Sequence, residues 1–336
     1  MKSPEVSIIM PVYNAARYLD CSVGSVLAQT SPEWELICFN DASTDNSSAM
    51  LHAFASADAR IRVIDSPVNV KQGGGRNRAL KETRGQYVMF LDADDGLAPE
   101  AVATCLDTAR RSNADMVLFD YFRFGGNLPA VPPDIVSPLG PDSATLSGDE
   151  LRRCITLSPT PIWSAMYRRT LITGNDLYFP EQVFYEDNAV ALAIQLSASV
   201  PVKVNRALYG YRTDNISVTR SLNNYRFFHR LQSAVTLKGH LTRLGLYDRW
   251  KTEIDHLILN QYLVHTVYGC IYRFDRLPYR RLHYVTSTVE DVVPGYRHNP
   301  PFRKRRFKDR IKLTLHMRFP RTIHAMWRLK RTLLGH

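Results

Sequence analysis

The chain has no long apolar run. No stretch of its 336 residues approaches the ~18 to 20 uncharged apolar residues that a membrane-spanning helix needs. Its N-terminus, MKSPEVSIIMPVYN, carries one lysine and an apolar run too short for the core of a secretory signal. Cysteine is sparse: five residues, an odd number, with no two in a C-x-x-C pair. A disulfide framework and a structural zinc site are thereby argued against, and a reducing, cytoplasmic compartment is expected. Acid is nearly missing from the C-terminal end. Residues 300–336 contain twelve of the 43 Lys and Arg but one of the 32 Asp and Glu, a net charge of +11. The remaining residues hold 31 of each sign and sum to zero. A neutral body with a basic tail implies an anionic partner: a membrane surface, nucleic acid or a polyanionic substrate. With 45% hydrophobic and 22% charged residues, wholesale disorder and collagen-like repeats are excluded. The length fits one large or two modest domains.

What is present is alternation. Residues 6–10, 34–39, 61–64, 87–91 and 116–121 are short apolar runs with the character of strands. Between them lie stretches with helical spacing, the first marked by Leu19, Val23, Val26 and Leu27. Strand and helix in repeated succession predict a parallel sheet covered by helices on both faces. In such sheets a ligand crevice lies beyond the carboxyl ends of the strands.

Those strand ends are polar. The first ends in Pro11-Val12-Tyr13-Asn14, the second in Asn40-Asp41-Ala42-Ser43-Thr44-Asp45, and the fourth in Asp92-Ala93-Asp94-Asp95-Gly96. Asp45 suits a helix N-cap and Asp-Gly suits a turn. Three carboxylates within four residues repel one another unless solvent or a cation separates them. A hard divalent cation shared with substrate phosphates is the favoured reading, and a solvated turn is the other. Gly73-Gly74-Gly75, placed just before an expected helix, allows close approach of a ligand or simply a flexible turn. The pattern is neither a P-loop nor a G-x-G-x-x-G fingerprint.

This ordered series, with Gly75-Arg76-Asn77 between the second and fourth strand ends, resembles glycosyltransferase family 2. The resemblance is strong over about residues 4–125. It continues more thinly to about residue 220 through Trp163, Tyr167-Arg168-Arg169, Glu186-Asp187, Tyr211-Arg212 and Ser217. It implies a Rossmann-like GT-A fold, a mostly parallel sheet flanked by helices, over residues 1–220. It implies that Pro11, Tyr13, Asn14 and Asp41 hold the nucleotide, with Asp41 accepting from the uracil ring nitrogen. Asp92 would lie near the ribose or metal, and Asp94 would be the direct ligand to Mn²⁺ or Mg²⁺. Arg76 would help bind the nucleotide. Asp187 of the Glu-Asp pair would be the catalytic base. Asn40 departs from the family's usual pair of aspartates at this strand end. The implied reaction is a single-step inverting transfer of a sugar from a nucleotide-sugar, a UDP-sugar in the first instance. The implied acceptor is a hydroxyl of a glycan or lipid-linked molecule in surface polysaccharide or lipopolysaccharide assembly. An inactive family member acting as a membrane-associated scaffold is the alternative.

Elementary chemistry agrees. Breaking the anomeric bond builds charge on the diphosphate, which a cation neutralises. A carboxylate on the opposite face takes the acceptor proton. Asp187 is expected to begin a helix, where a structural acid complementing the dipole is the plainer reading. A D-x-D phosphohydrolase would carry its acids after the first strand, and a nucleotidyltransferase would carry a glycine-rich loop there. The Q-x-x-R-W motif of processive members is absent, so transfer of one sugar per acceptor is expected.

Beyond the sheet, residues 125–150 hold five prolines and read as a loop. Arg212 with residues 217–219 reads as a lid, with Arg212 on a phosphate. Residues 221–299 read as a helical region. In the basic tail, 300–336, the alternation of Ile311, Leu313, Leu315, Met317 and Phe319 predicts a strand, and a helical face follows Pro320. Trp327 and the run Arg303-Lys304-Arg305-Arg306 suit an anionic membrane surface, so peripheral attachment to the inner face of the cytoplasmic membrane is expected. No nucleic-acid partner is expected, because the crevice is acidic.

Overall fold

The computed structural model describes residues 3–140, 146, 148–214 and 222–333. The chain divides into two compact units, residues 1–215 and 216–336. Segment 217–219, expected as part of a lid, and the expected boundary at 220–221 lie outside the described residues.

The first unit opens with β1 (Val6–Val12), α1 (Ala16–Leu27), β2 (Trp34–Asn40), α2 (Ser47–Ala57), β3 (Ile61–Asp65), α3 (Lys71–Lys81) and β4 (Tyr87–Phe90). These four strands run parallel in the order β3-β2-β1-β4. Every residue of β1 and β2 is buried. That is why both read as continuous apolar runs rather than alternations: helices cover both faces. Of the expected α1 stripe, Leu19, Val23 and Val26 are fully buried against the sheet, while Leu27 at the helix end is exposed.

The chain continues through β5 (Gly96–Leu97), α4 (Ala101–Ser112), β6 (Met116–Phe124), β7 (Ile135–Val136), α5 (Gly148–Leu157), β8 (Ala165–Arg168), α6 (Thr170–Thr173), α7 (Ala191–Leu196) and β9 (Pro201–Arg212). The antiparallel part of the expected mostly parallel sheet lies here. β8 is antiparallel to both β4 and β6, and β5 is antiparallel to β9, whereas β6 and β9 are parallel. β8 inserts between β4 and β6 antiparallel to both, so the second half of the sheet is mixed.

The glycines also behave differently from expectation. They do not precede α3; they lie inside it. A Cβ on Gly75 would sit 2.9 Å from the Phe39 ring, and one on Gly73 would sit 2.5 Å from the Pro180 carbonyl oxygen. The run lets α3 press against the sheet on one side and against segment 179–186 on the other. It serves close packing of protein on protein.

The second unit is helical: α8 (His229–Arg243), α9 (Lys251–Leu259), a π-turn (Asn260–Val264), α10 (His265–Tyr272), α11 (Tyr279–Val292), α12 (Pro300–Arg303), α13 (Phe307–Arg318) and α14 (Pro320–Leu333). The expected tail strand is helix α13. An alternation of period two contains the i, i+4 series, so Ile311, Leu315 and Phe319 fall on one helical face while Leu313 turns inward and is buried. Both α13 and α14 pack on α10. Tyr272 Oη lies 2.6 Å from His316 Nε2, His324 Nδ1 lies 3.0 Å from the Ile271 carbonyl oxygen, and the Tyr272 and Trp327 rings meet edge to face. Trp327 is therefore a packing residue of this unit, and Arg305 is tied to Asn260.

Replacing Gly73 by Ala tests the packing of α3. Intrinsic helix propensity alone would stabilise the protein by about 1 kcal/mol. The clash with a backbone carbonyl predicts the opposite sign, a loss of about 1–3 kcal/mol in denaturant unfolding.

Candidate active site

The carboxyl ends of β1, β2 and β4 bring the polar strand ends together. Asn14 adopts a left-handed backbone, φ 51°, and its Oδ1 accepts from the Thr44 amide at 2.8 Å. The Ala16 amide donates to Asp45 Oδ2 at 3.0 Å. Asp45 therefore ties the start of α1 to the loop after β2, while its Oδ1 also accepts from the Ser47 amide (3.0 Å). Pro11 is buried within β1, and Tyr13 stands 53% exposed. Asp41 is buried, with Oδ1 accepting from the Val70 amide (2.6 Å) and Oδ2 from the Lys71 amide (2.9 Å). It caps the N-terminus of α3, so the anion that this helix end favours is a side chain of the protein. Asn40 donates to Asp65 Oδ1 at 2.6 Å. That bond, foremost, holds Asp65 below the ordinary carboxylate pKa. An acid thus stands beside position 40 after all, supplied from the end of β3.

The acidic turn 92–95 is pinned from β9. The Asp92 amide donates to Tyr209 Oη (3.2 Å), and the same hydroxyl donates to Asp95 Oδ2 (2.7 Å). Asp95 Oδ1 accepts from the Arg212 amide (2.8 Å). Arg212 is buried, and its guanidinium donates to the carbonyls of Asp94 (2.7 Å) and Gly126 (2.6 Å). The guanidinium of Arg212, the residue expected on a phosphate, meets these internal acceptors, which fix the backbone that carries Asp94. Asp95 is likewise structural. Burial, and then the charges of Asp94 and Asp92, push its carboxyl well above the usual range.

Arg76, on α3, is the most constrained side chain here. Its guanidinium is buried, donates through Nη2 to Asp92 Oδ1 at 2.8 Å and through Nη1 to Glu186, and lies over the Phe179 ring. Burial opposes its charge, but Asp92, Glu186 and Asp187 outweigh that and raise its pKa. Arg76, expected near the nucleotide, joins the acidic turn to the Glu-Asp pair through these bonds. The pair itself is delivered by a segment stitched to α3. Asn77 Nδ2 donates to the Phe179 carbonyl (2.8 Å) and its Oδ1 accepts from the Phe179 amide (2.9 Å). Gln182 and Tyr185, in this segment, hold left-handed backbones at φ 60° and 63°. Strain at a bulky tyrosine is tolerated where surrounding bonds over-determine it.

Asp187 does not begin a long helix. It opens a 3₁₀ turn, Asp187–Ala189, which Val190 breaks before α7. It is half-buried. Burial raises its pKa, the charge of Arg76 lowers it, and Asp92 raises it further; the net direction is up. Glu186 is raised too, first by burial, with Arg76 opposing. Tyr209 and Asn77 are the site-building residues that sequence reasoning missed. No spacing signal marks a tyrosine hydroxyl that bridges one loop.

Among the described residues no three His, Cys, Asp or Glu side chains converge on a metal position. With Asp92 on Arg76 and Asp95 on Tyr209 and Arg212, the donor set is no protein-only cage. Its carboxylate oxygens are of the kind a hard divalent cation takes, and Asp94 and Asp92 would be the residues to hold one.

Residues 7–170 match the family described as Glycosyl transferase family 2, and this segment, which builds β1 to β4 and the acidic turn, belongs to that family. EpsJ of Bacillus subtilis, an uncharacterized glycosyltransferase, is 29% identical over 223 residues, which cover 64% of this chain and 63% of EpsJ. TarS of Staphylococcus aureus, a poly(ribitol-phosphate) beta-N-acetylglucosaminyltransferase, is 29% identical over 210 residues, 60% of this chain and 35% of TarS. The matched regions thus span less than two thirds of these relatives' own length. Among solved structures, S. aureus TarS 1–349 in complex with UDP-GlcNAc covers 99% of this chain and 92% of its own, with a TM-score of 0.69 at 20% identity. A Pyrobaculum calidifontis mannosyltransferase in complex with GDP-Man and Mn²⁺ covers 98% of this chain and 88% of its own, with a TM-score of 0.52 at 15% identity. At these identities the likeness is one of fold. It bears out the expected GT-A architecture with a helical C-terminal region.

Arg76→Gln should leave buried Glu186 and partly buried Asp92 without their cation and cost about 3–5 kcal/mol in urea unfolding. The double variant Arg76→Gln/Glu186→Gln should recover part of that loss. An equal or larger loss in the double variant would contradict the pairing.

Proposed function

We propose that the chain is an inverting, metal-dependent glycosyltransferase. It moves a sugar from a UDP-sugar to a hydroxyl of a glycan or lipid-linked acceptor in the assembly of cell-surface polysaccharide or lipopolysaccharide. The carrying observation is Arg76: one buried cation bonded both to Asp92 of the acidic turn and to Glu186 beside Asp187. A donor-side acid and a base-side acid are thereby held on opposite sides of one guanidinium. Names of relatives support the wider reading. TarS and a Bacillus spizizenii beta-glucosyltransferase are named for transfer to poly(ribitol-phosphate), and TarS was solved with UDP-GlcNAc.

In this reading catalysis resides in residues 1–220. Tyr13 and Pro11 line the base pocket, and Asn14 holds its wall to the loop after β2. A carboxylate has about four acceptor positions, so Asp41 retains capacity for a uracil N–H beyond its two amide bonds. A divalent cation, Mn²⁺ or Mg²⁺, held by Asp94 with Asp92 near it, would neutralise charge on the departing diphosphate. Arg212 fixes the Asp94 backbone and Arg76 fixes Asp92. Asp187 accepts the acceptor hydroxyl proton, and its raised pKa makes it a stronger base than a solvated carboxylate. Attack from the face opposite the leaving group inverts the anomeric centre. The same reading places the enzyme in the cytoplasm, peripheral on the inner face of the cytoplasmic membrane through the basic segment 300–336. Among the described residues no helix is long and apolar enough to cross a membrane.

A calorimetric titration of UDP, with GDP in parallel and with and without Mn²⁺, tests the proposal on wild type and Asp94→Ala. The expected result is metal-dependent UDP binding that Asp94→Ala abolishes. No binding of either nucleotide under any condition would sink it and leave a scaffolding role in its place.

A further inference from the structure

The apolar surface of the second unit is unevenly distributed. Of the nineteen large apolar side chains exposed among the described residues, seven lie within residues 307–333. They are Phe307, Ile311, Leu315 and Phe319 along α13 and its end, and Met326, Leu329 and Leu333 along α14. Phe307 is 71% and Leu333 is 76% exposed. The spacings, i, i+4, i+8 on α13 and i, i+3, i+7 on α14, put each set on one helical face. The opposite faces are the ones engaged with α10, through His316 on α13 and His324 and Trp327 on α14. Both apolar ridges therefore point away from the unit's core.

Beside the α13 ridge runs a groove of about 660 Å³ whose rim carries Arg297, Arg303, Arg310 and Arg318. Phe302, Leu313 and Met317 also line it, and no acidic side chain does. Arg310 donates to the Arg303 carbonyl (3.1 Å) and Arg297 to Tyr296 Oη (3.2 Å), contacts that orient the guanidiniums without cancelling their charge. Arg310 and Thr314 line this groove and also the adjoining hollow formed by Phe307, Ile311 and Leu315. An anion-binding groove and an apolar ridge thus share a wall.

We propose that the α13–α14 pair is an interfacial membrane anchor, with the exposed ridges seated among acyl chains and the four-arginine groove holding the phosphate of an anionic phospholipid. This rests on the membrane attachment proposed above and assigns it to particular residues. Trp327 and the run 303–306, the sequence's own candidates, contribute only Arg303. The chemistry selects one occupant. A nucleic acid would satisfy the arginines but has nothing for seven exposed apolar side chains. A second copy of the same face would oppose its own charge, because residues 307–333 carry eight Lys and Arg and one Asp. An anionic bilayer satisfies both the charge and the apolar surface.

The test is flotation of the full chain with vesicles of phosphatidylcholine alone and of phosphatidylcholine mixed with phosphatidylglycerol. Three variants accompany wild type: Ile311→Ser/Leu315→Ser, Leu329→Ser/Leu333→Ser, and Arg303→Gln/Arg310→Gln/Arg318→Gln. UDP titration without vesicles runs in parallel, so failure of the donor site is read separately from failure of the anchor. Wild type should float with the phosphatidylglycerol vesicles. The arginine variant should bind them about a hundredfold more weakly. Each ridge variant should lose binding while retaining wild-type UDP affinity. Equal binding to both vesicle types, binding unchanged in both ridge variants, or no vesicle binding at all would overturn the proposal. So would a wild-type dimer in sedimentation that the ridge variants dissociate, which would assign the face to a second copy.

Discussion

A buried guanidinium cannot stand alone, and the catalytic half of this protein is organised by that constraint. Taking an arginine out of water costs several kcal/mol unless carboxylates meet it with good geometry. Arg76 meets Asp92 at 2.8 Å on one side and Glu186 on the other. Those acids come from the end of β4 and from a segment some hundred residues later, so the ion pairs join two distant parts of the sequence. The cation stabilises acids that would otherwise repel, and under the proposed function these acids serve the two sides of a sugar transfer. Asp187 then sits next to a compensated charge cluster. Burial still raises its pKa, and Arg76 limits how far.

Everything around Arg76 follows from bringing α3 close enough. Gly73 and Gly75 remove the side chains that would hold the helix away from segment 179–186 and from β2. Asp41 closes the helix N-terminus through two amides, which fixes its start against the end of β2. On the far side, Tyr209 and Arg212 from β9 clamp the turn that carries Asp92, Asp94 and Asp95. The two clamps hold the acidic turn rigid without a metal cage. A site of that kind suits a cation that arrives with its diphosphate.

Much of this was legible in the sequence, for physical reasons that can be named. β1 to β4 were readable because a strand buried on both faces must be apolar throughout, and Val6–Val12 and Trp34–Asn40 are nearly so. The gathering of polar strand ends was readable because the carboxyl ends of parallel strands lie on one edge of such a sheet. The glycine run was misread because a glycine that admits a ligand and one that admits a neighbouring backbone look alike in one dimension. The internal partners of Arg76 and Arg212 were not legible, because sequence shows an arginine's charge and not its burial. Tyr209 was missed because a bridging hydroxyl leaves no periodic trace. The strand expected at residues 311–319 failed because every second residue of a period-two pattern also fits a helix, and only the packing of Leu313 and His316 inward decides between them.

The central claim is that Asp92–Asp94 and Asp187 form two chemically distinct halves of one site, joined through Arg76. The most direct test is the rate of UDP release from UDP-GlcNAc as a function of pH, in wild type and Asp187→Asn, with UDP affinity measured on both. Asp187 must be deprotonated to act. The wild-type rate should therefore be lost as pH falls through a limb above the ordinary aspartate value of about 4. Asp187→Asn should bind UDP as wild type does and turn over about 10² to 10⁴-fold more slowly, without that limb. A variant that keeps wild-type turnover, or that loses UDP binding together with turnover, would contradict the account.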